Sequence, residues 1–305
     1  MSILTPNVAP AGPSTGLRRP DDAVEWIESH VGPTAPLRWR KPKPWSLVAC
    51  AETPDGVFWF KEVDYAADSE PALTAALAQR ASHVLPEVVA AEGTRLLTRH
   101  AGPHVGQFIR QSGKTPTSVW ADTVASYAEL QIELVPIARR LSAFDARPER
   151  LARTFGDVVA PVVTALGDVI PFSLVHLDLF KKNVCVGGDG IVLLDWAVPA
   201  YGHPFCGLHV ILRGLVRDFG ASPGGREVLH VRDTYLEPWT NYAPMGELRR
   251  IFAAANPLGA LCRVMRWQRL VGSLPAGLRG GYANRADKWL ERFGSSLEVP
   301  DRLGL

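Results

Sequence analysis

The chain changes its hydrophobic rhythm near residue 100. Before it, short apolar runs alternate with turn residues. After it, apolar residues recur at helical spacing over long stretches. DDAVEWIESHVG (21–32) reads as a short amphipathic helix with Asp21 or Asp22 as its cap and Gly32 just past its end. WSLVACAE (45–52) and VFWFKEV (57–63) read as strands joined by the turn TPDG (53–56). An Asp-Gly turn between apolar runs is a strong hairpin signal. SEPALTAALAQRASHVL (69–85) predicts a helix capped by Ser69. EVVAAE (87–92) and TRLLTRH (94–100) predict a second hairpin about Gly93, and Gly102-Pro103 then breaks the pattern.

Beyond that break, helices are expected over 118–144 with an interruption at Pro136, 147–166, 205–219, 226–236, 246–274 and 283–293. In the fifth, Leu248, Ile251, Phe252, Ala255, Leu258, Leu261 and Met265 keep helical spacing, and Pro257 should kink or split it. Two short strands are expected around GGDG (187–190). The pattern gives an α+β, bilobal chain: a Pro/Gly/Ser-rich flexible lead-in over 1–20, a β-rich lobe over 21–101 and a larger helical lobe over 102–305.

Composition narrows the class. The 305 residues are 47% hydrophobic and 21% charged, as in ordinary globular proteins, and the net charge of +2 points to neither a nucleic-acid nor a membrane partner. The N-terminus lacks a signal-peptide pattern. The most apolar window, 204–216, is broken by His209 and Arg213. It is shorter than the ~20 residues a membrane span needs. Four cysteines without metal or redox spacing read as reduced, mostly buried thiols. A cytoplasmic protein is expected.

The chemistry concentrates in VHLDLFKKNVCVGGDGIVLLDWAVP (175–199). A lone aspartate at a strand end commonly starts a turn. Here SLVHLD and VLLDW are both apolar runs ending in a carboxylate, Asp178 and Asp195, with Asn183 between them. A short hairpin joining the two runs would bring their ends together. Three hard oxygen donors near one point suit Mg²⁺, which takes one or two carboxylates and completes its shell with water and phosphate.

His-x-Asp, an Asn five residues after the Asp, and an apolar strand ending in Asp-Trp together resemble the aminoglycoside phosphotransferase and choline kinase superfamily. The resemblance implies a protein-kinase-like fold, a small antiparallel N-lobe with one helix and a mainly helical C-lobe. By position it makes Asp178 the base or positioner for a substrate hydroxyl and Asn183 and Asp195 the Mg²⁺ ligands. His176 orders the loop. Lys61, in VFWFKEV, then contacts the phosphates of ATP or GTP, with Glu70 as its acidic partner and Glu62 as the weaker alternative. Arg40 to Val48, where a phosphate-covering loop belongs, has no glycine; Ser46 is its candidate phosphate contact. Backbone near Arg99 and Ala101 falls where the adenine-binding hinge belongs. Lys181 and Lys182 lie in the catalytic loop. The resemblance runs from Trp45 to about His209, ending in HPF (203–205).

The acceptor is expected to be a small hydroxylated molecule. No Ala-Pro-Glu follows Asp195, which disfavours protein substrates. Trp196 to Leu305 carries 14 Lys+Arg against 9 Asp+Glu, a net of +5, which disfavours a polycation and favours a neutral or partly anionic sugar, nucleoside-like compound or antibiotic. A nucleotide-binding pseudokinase is the alternative, though it would normally have lost Lys61, Asp178 or Asp195. Arg263, Arg266 and Arg269 form a basic stripe that reads as a solvated helix surface rather than a nucleic-acid footprint.

Overall fold

The computed structural model describes residues 20–298, apart from 65, 66, 68 and 189. The expected lead-in therefore lies almost wholly outside the described residues. The first part is helix α1 (Ala23–Val31) against a five-stranded antiparallel sheet of β1 (Arg38–Trp39), β2 (Ser46–Thr53), β3 (Gly56–Val63), β4 (Val88–Glu92) and β5 (Arg95–Arg99), in the order β1-β2-β3-β5-β4. Helix α2 (Glu70–Arg80) lies between β3 and β4 in the chain. The sheet follows from the alternation in the sequence. Phe58 and Phe60 turn to one face, where they bury with Ala49, Ala51, Leu97 and Ile27 of α1. Lys61, one residue on, faces the other way. The Asp55-Gly56 turn closes the β2–β3 hairpin, and Gly56 takes φ +132°.

The second part is mainly helical. Helices α3 (Val105–Ser112), α4 (Pro116–Leu134) and α5 (Ala138–Leu141) lead to β6 (Phe144–Ala146), α6 (Pro148–Phe155) and α7 (Ala160–Leu166). Then come β7 (Ser173–Val175), β8 (Val184–Gly187), β9 (Gly190–Leu193) and β10 (Ala200–Gly202). Helices α8 (Leu208–Phe219), α9 (Arg226–Leu236), α10 (Met245–Ser273), α11 (Ala276–Arg279) and α12 (Arg285–Glu298) finish the chain. One large core joins these helices to Leu73 and Leu77 of α2, so the two parts share buried apolar surface. No helix among the described residues is long and apolar enough to cross a membrane.

Several expectations need correction. Ser69 is not a cap: its backbone is already helical and its side chain bonds nothing at the helix start. Helix α2 ends at Arg80, and the residues up to Leu85 turn instead. Helix α3 lies in a stretch with no helical expectation, where His104 caps it through a bond from the Gln107 amide. The region 147–166 is two helices with a 3₁₀ turn between them. Pro257 does not split α10, which runs through it. The hairpin that carries Asp195 is β8–β9; β7, which precedes Asp178, belongs to a separate three-stranded sheet β6-β10-β7.

Candidate active site

Between the sheet and the helical part lies a cleft of about 710 Å³. Ser46, Lys61, Glu70, Arg99, Ala101, Asn183 and Asp195 all line it. Lys61 is carried in by β3 and Glu70 by the first turn of α2. Asp195 stands just past β9, in the left-handed region at φ +65°. Leu177 and Val198 are the other described non-glycine residues with positive φ, at 62° and 59°. All three fall within the segment that holds the chemistry. Backbone held in such conformations survives only where its surroundings fix it.

Those surroundings are specific. The His176 amide donates to the Tyr127 hydroxyl (3.0 Å). His176 Nε2 is 2.9 Å from the Leu194 carbonyl, and its Nδ1 accepts the Asp178 amide (3.2 Å). Accepting at Nδ1 and donating from Nε2 fixes the neutral tautomer. Burial agrees, drawing the His176 pKa down to about 4. This histidine thus ties the Asp178 loop to the strand end that presents Asp195.

In the cleft, the Lys61 ammonium bridges two carboxylates, 2.6 Å from Glu70 Oε1 and 2.6 Å from Asp195 Oδ1. Burial opposes the charge on Lys61, but Asp195 and Glu70 outweigh it and hold the ammonium protonated. Burial likewise opposes ionisation of Asp195, and Lys61, Lys43 and Arg266 overcome it, so Asp195 stays below the ordinary carboxylate range. Glu70 goes the other way, up to about 7, because it is buried and shares its ammonium with a second carboxylate. Its Oε2 is buried without a partner. Glu62, the weaker alternative partner for Lys61, faces away and pairs with Arg95 and Thr94.

Asn183 donates from its amide to the Asp178 carbonyl (3.0 Å) and to Asp195 Oδ2 (3.3 Å). One carboxylate and one amide form a hard donor pair suited to Mg²⁺ that expects phosphate and water for the rest of its shell. Among the described residues there is no group of three or more His, Cys, Asp or Glu that could hold a metal without them.

Arg99 and Ala101 line the cleft where the chain leaves the sheet. The Arg99 amide donates to the Glu87 carbonyl (2.9 Å), and its side chain turns out to Glu87. Ala101 makes no backbone bond among the described residues. Gly102 follows at φ +88°, where a Cβ would stand 2.5 Å from the Val186 carbonyl, so only glycine lets this segment lie against β8. Lys182 lines the cleft, while Lys181 pairs with Asp218 at 3.4 Å.

Asp178 lies outside the cleft lining, and its partners overturn the reading of the arginine stripe. Arg263 and Arg266 are buried, not solvated, and only Arg269 is exposed. Arg263 Nη1 donates to Asp178 Oδ1 (2.5 Å) and to the carbonyl of strained Leu177 (2.6 Å). Arg266 Nη2 is 3.4 Å from Asp178 Oδ2. The signal was present: both arginines sit in helical register among Leu261, Cys262, Val264 and Trp267, all buried. Charges embedded in an apolar face need a buried counter-charge.

Solved structures share this architecture. A choline/ethanolamine kinase family protein from Mesorhizobium loti, 18% identical, aligns over 92% of this chain and 95% of its own with a TM-score of 0.57. The aminoglycoside phosphotransferase APH(2")-IIa, solved with streptomycin and ATP, is 12% identical over 95% and 99%, with a TM-score of 0.54. A Plasmodium vivax ethanolamine kinase is 12% identical over 85% and 82%, with a TM-score of 0.53. The chain has the bilobal, protein-kinase-like fold of these small-molecule kinases. The resemblance drawn from the sequence therefore holds for the fold. No protein-family model matches the chain, and no curated protein does.

Proposed function

We propose that the protein is a small-molecule kinase that moves the γ-phosphate of ATP or GTP to a hydroxyl, with Mg²⁺. The observation that carries this reading is the meeting of two groups in one cleft, the Lys61–Glu70 pair and the Asp195–Asn183 donor set, with Asp178 beside it on a loop tied to the second through His176 and Asn183. Each of these three serves a different need of phosphoryl transfer.

Lys61 offers a fixed positive charge to the nucleotide phosphates. Asp195 and Asn183 would hold Mg²⁺, whose charge offsets that of the phosphates. Asp178 orients the acceptor hydroxyl and accepts its proton. Ser46 is a further phosphate contact, and the Arg99 carbonyl and Ala101 backbone are the base contacts. The rigid seating of the Asp178 loop matters because positioning supplies much of the rate. Residues 21–101 then serve as the nucleotide-binding lobe and 102–305 as the lobe for metal and acceptor. The four free, buried cysteines suit the reducing cytoplasm.

The test is a mass-spectrometric screen of the full chain with Mg²⁺, ATP or GTP and pooled hydroxylated compounds. A product heavier by one phosphate is expected, absent with Asp178→Asn. Equal turnover by that variant would remove Asp178 from its role. Absence of any nucleotide binding would overturn the kinase reading itself.

A further inference from the structure

Four arginines from three helices gather around Asp178 and the neighbouring Trp289, and one carboxylate does not balance them. Arg263 and Arg266 of α10 reach its oxygens at 2.5 and 3.4 Å. Arg213 of α8 and Arg292 of α12 stand behind. Arg213, Arg263 and Arg292 surround one indole, their guanidinium carbons 5.8, 4.7 and 4.6 Å from the Trp289 ring centroid. Among the described residues, neither Arg213 nor Arg292 has an ion pair within 4 Å. Burial lowers the pKa of Arg213, and Arg292 and Arg217 lower it further with no acid opposing them. For Arg292, burial, Arg217 and Arg285 together outweigh its neighbour Glu291. The Nε–H groups of Arg263 and Arg266 are buried without an acceptor.

Such an arrangement costs free energy as it stands. Cation–π contact offsets part of that cost but supplies no counter-charge. Guanidinium forks match carboxylate and phosphate oxygens, and unpaired forks brought together from separate helices favour such an anion beside them. A cationic acceptor would meet the opposite: repulsion from the guanidinium groups that flank Asp178.

We infer that the Arg213–Arg263–Arg266–Arg292 cluster is a subsite for an anionic group of the acceptor, a carboxylate or phosphate carried a few bonds from the hydroxyl that Asp178 receives. The identification of the anion with the acceptor rests on the kinase reading above; the anion site stands on the arginines alone. Two of the four arginines touch Asp178 itself, which places the anionic group and the reacting hydroxyl on one small molecule.

The test is titration calorimetry on the full chain loaded with Mg²⁺ and AMP-PNP, which keeps added anions out of the nucleotide cleft. Glycerate and glycerol 3-phosphate are the carboxylate and phosphate probes, with glycerol and ethanolamine as neutral and cationic controls. Saturable binding of at least one anion is expected, with no binding of either control. The preferred anion distinguishes carboxylate from phosphate. The Arg213→Gln/Arg292→Gln double variant should bind that anion at least tenfold more weakly; Arg292→Gln alone serves if the double variant does not fold. Failure of both anions to bind, binding unchanged in the variant, or glycerol binding as tightly as glycerate would each overturn the inference. If AMP-PNP does not bind, the kinase reading falls, and the same titration on unloaded protein still decides the anion subsite.

Discussion

The two halves of the site carry opposite charge imbalances. Around Lys61, two carboxylates share one ammonium. Around Asp178, two buried guanidinium groups share one carboxylate. The first half has negative charge to spare and suits a metal cation. The second has positive charge to spare and suits an anion. They lie one loop apart, joined by His176 and by Asn183. A buried charge left over from pairing marks what a site is built to receive, provided the residues around it do not supply the missing partner.

The largest test of this division is Asp178→Asn. It should lower kcat by about 10³- to 10⁴-fold, the upper range for a lost general base. Nucleotide affinity should stay within about threefold, because Asp178 lies outside the cleft lining. Thermal stability should fall as well, since Arg263 and Arg266 lose their carboxylate. Parallel losses in nucleotide binding and turnover would erase the distinction between the halves.

Gly259→Ala tests how the arginine half is positioned. A Cβ there would stand 2.5 Å from the Cys206 carbonyl and 2.6 Å from His209 Cβ, so α10 can approach only with glycine at this point. Overpacking of this kind costs typically about 1–3 kcal/mol. A stability loss of about 3 kcal/mol by denaturant unfolding is expected, because one clash is with backbone. In the folded variant, acceptor turnover should suffer while nucleotide affinity does not. A milder substitution addresses the chemistry more directly. Arg263→Met should cut kcat/KM for the acceptor by roughly 30-fold, about 2 kcal/mol. The KM for nucleotide should stay within twofold, and Arg263→Lys should restore little, because a lysine cannot hold Asp178 and the Leu177 carbonyl with one planar fork. Equal effects on both substrates would argue against separate halves.

The halves also differ in how far the sequence discloses them. The hairpin pattern in 45–63 shows which face Lys61 takes, and the Asp-Asn-Asp spacing in 178–195 brings Asp178, Asn183 and Asp195 to one loop system. These are local relations: strand alternation and a tight turn carry them. The partnership of Asp178 with Arg263 spans 85 positions and depends on how α10 crosses the Asp178 loop. No periodicity within α10 reveals that crossing. The helix is 29 residues long and apolar on several sides, so its arginines could be taken for an outer face. Helix α3 leaves little trace in the sequence for a related reason: it is short, and its start is set by a histidine cap, an uncommon choice. Ser69 erred in the opposite sense, having the residue type of a cap without its backbone conformation.

The smallest test isolates the carboxylate excess in the Lys61 half through Glu70→Gln. In the folded protein Glu70 titrates near pH 7, against an ordinary value of 4.5 when unfolded. Between those values the native state holds a proton that the unfolded chain has released. Wild-type stability from this group therefore falls as pH rises from 4.5 to 7, by at most about 1.4 kcal/mol per unit. Buried His176, His203 and His209, with pKa values drawn down to about 4, 3 and 3, act in the reverse sense: their contribution is lost as pH falls below 6.5. That contribution is common to both proteins and cancels in their difference. Glutamine has no proton to hold, so the melting temperature of Glu70→Gln relative to wild type should climb from pH 5 to pH 7, by the equivalent of about 2 kcal/mol. A difference that stays flat across this range would mean that Glu70 ionises normally and that Lys61 satisfies both carboxylates. Crowding two carboxylates on one ammonium would then carry no penalty, and the contrast drawn with the Asp178 half would fall.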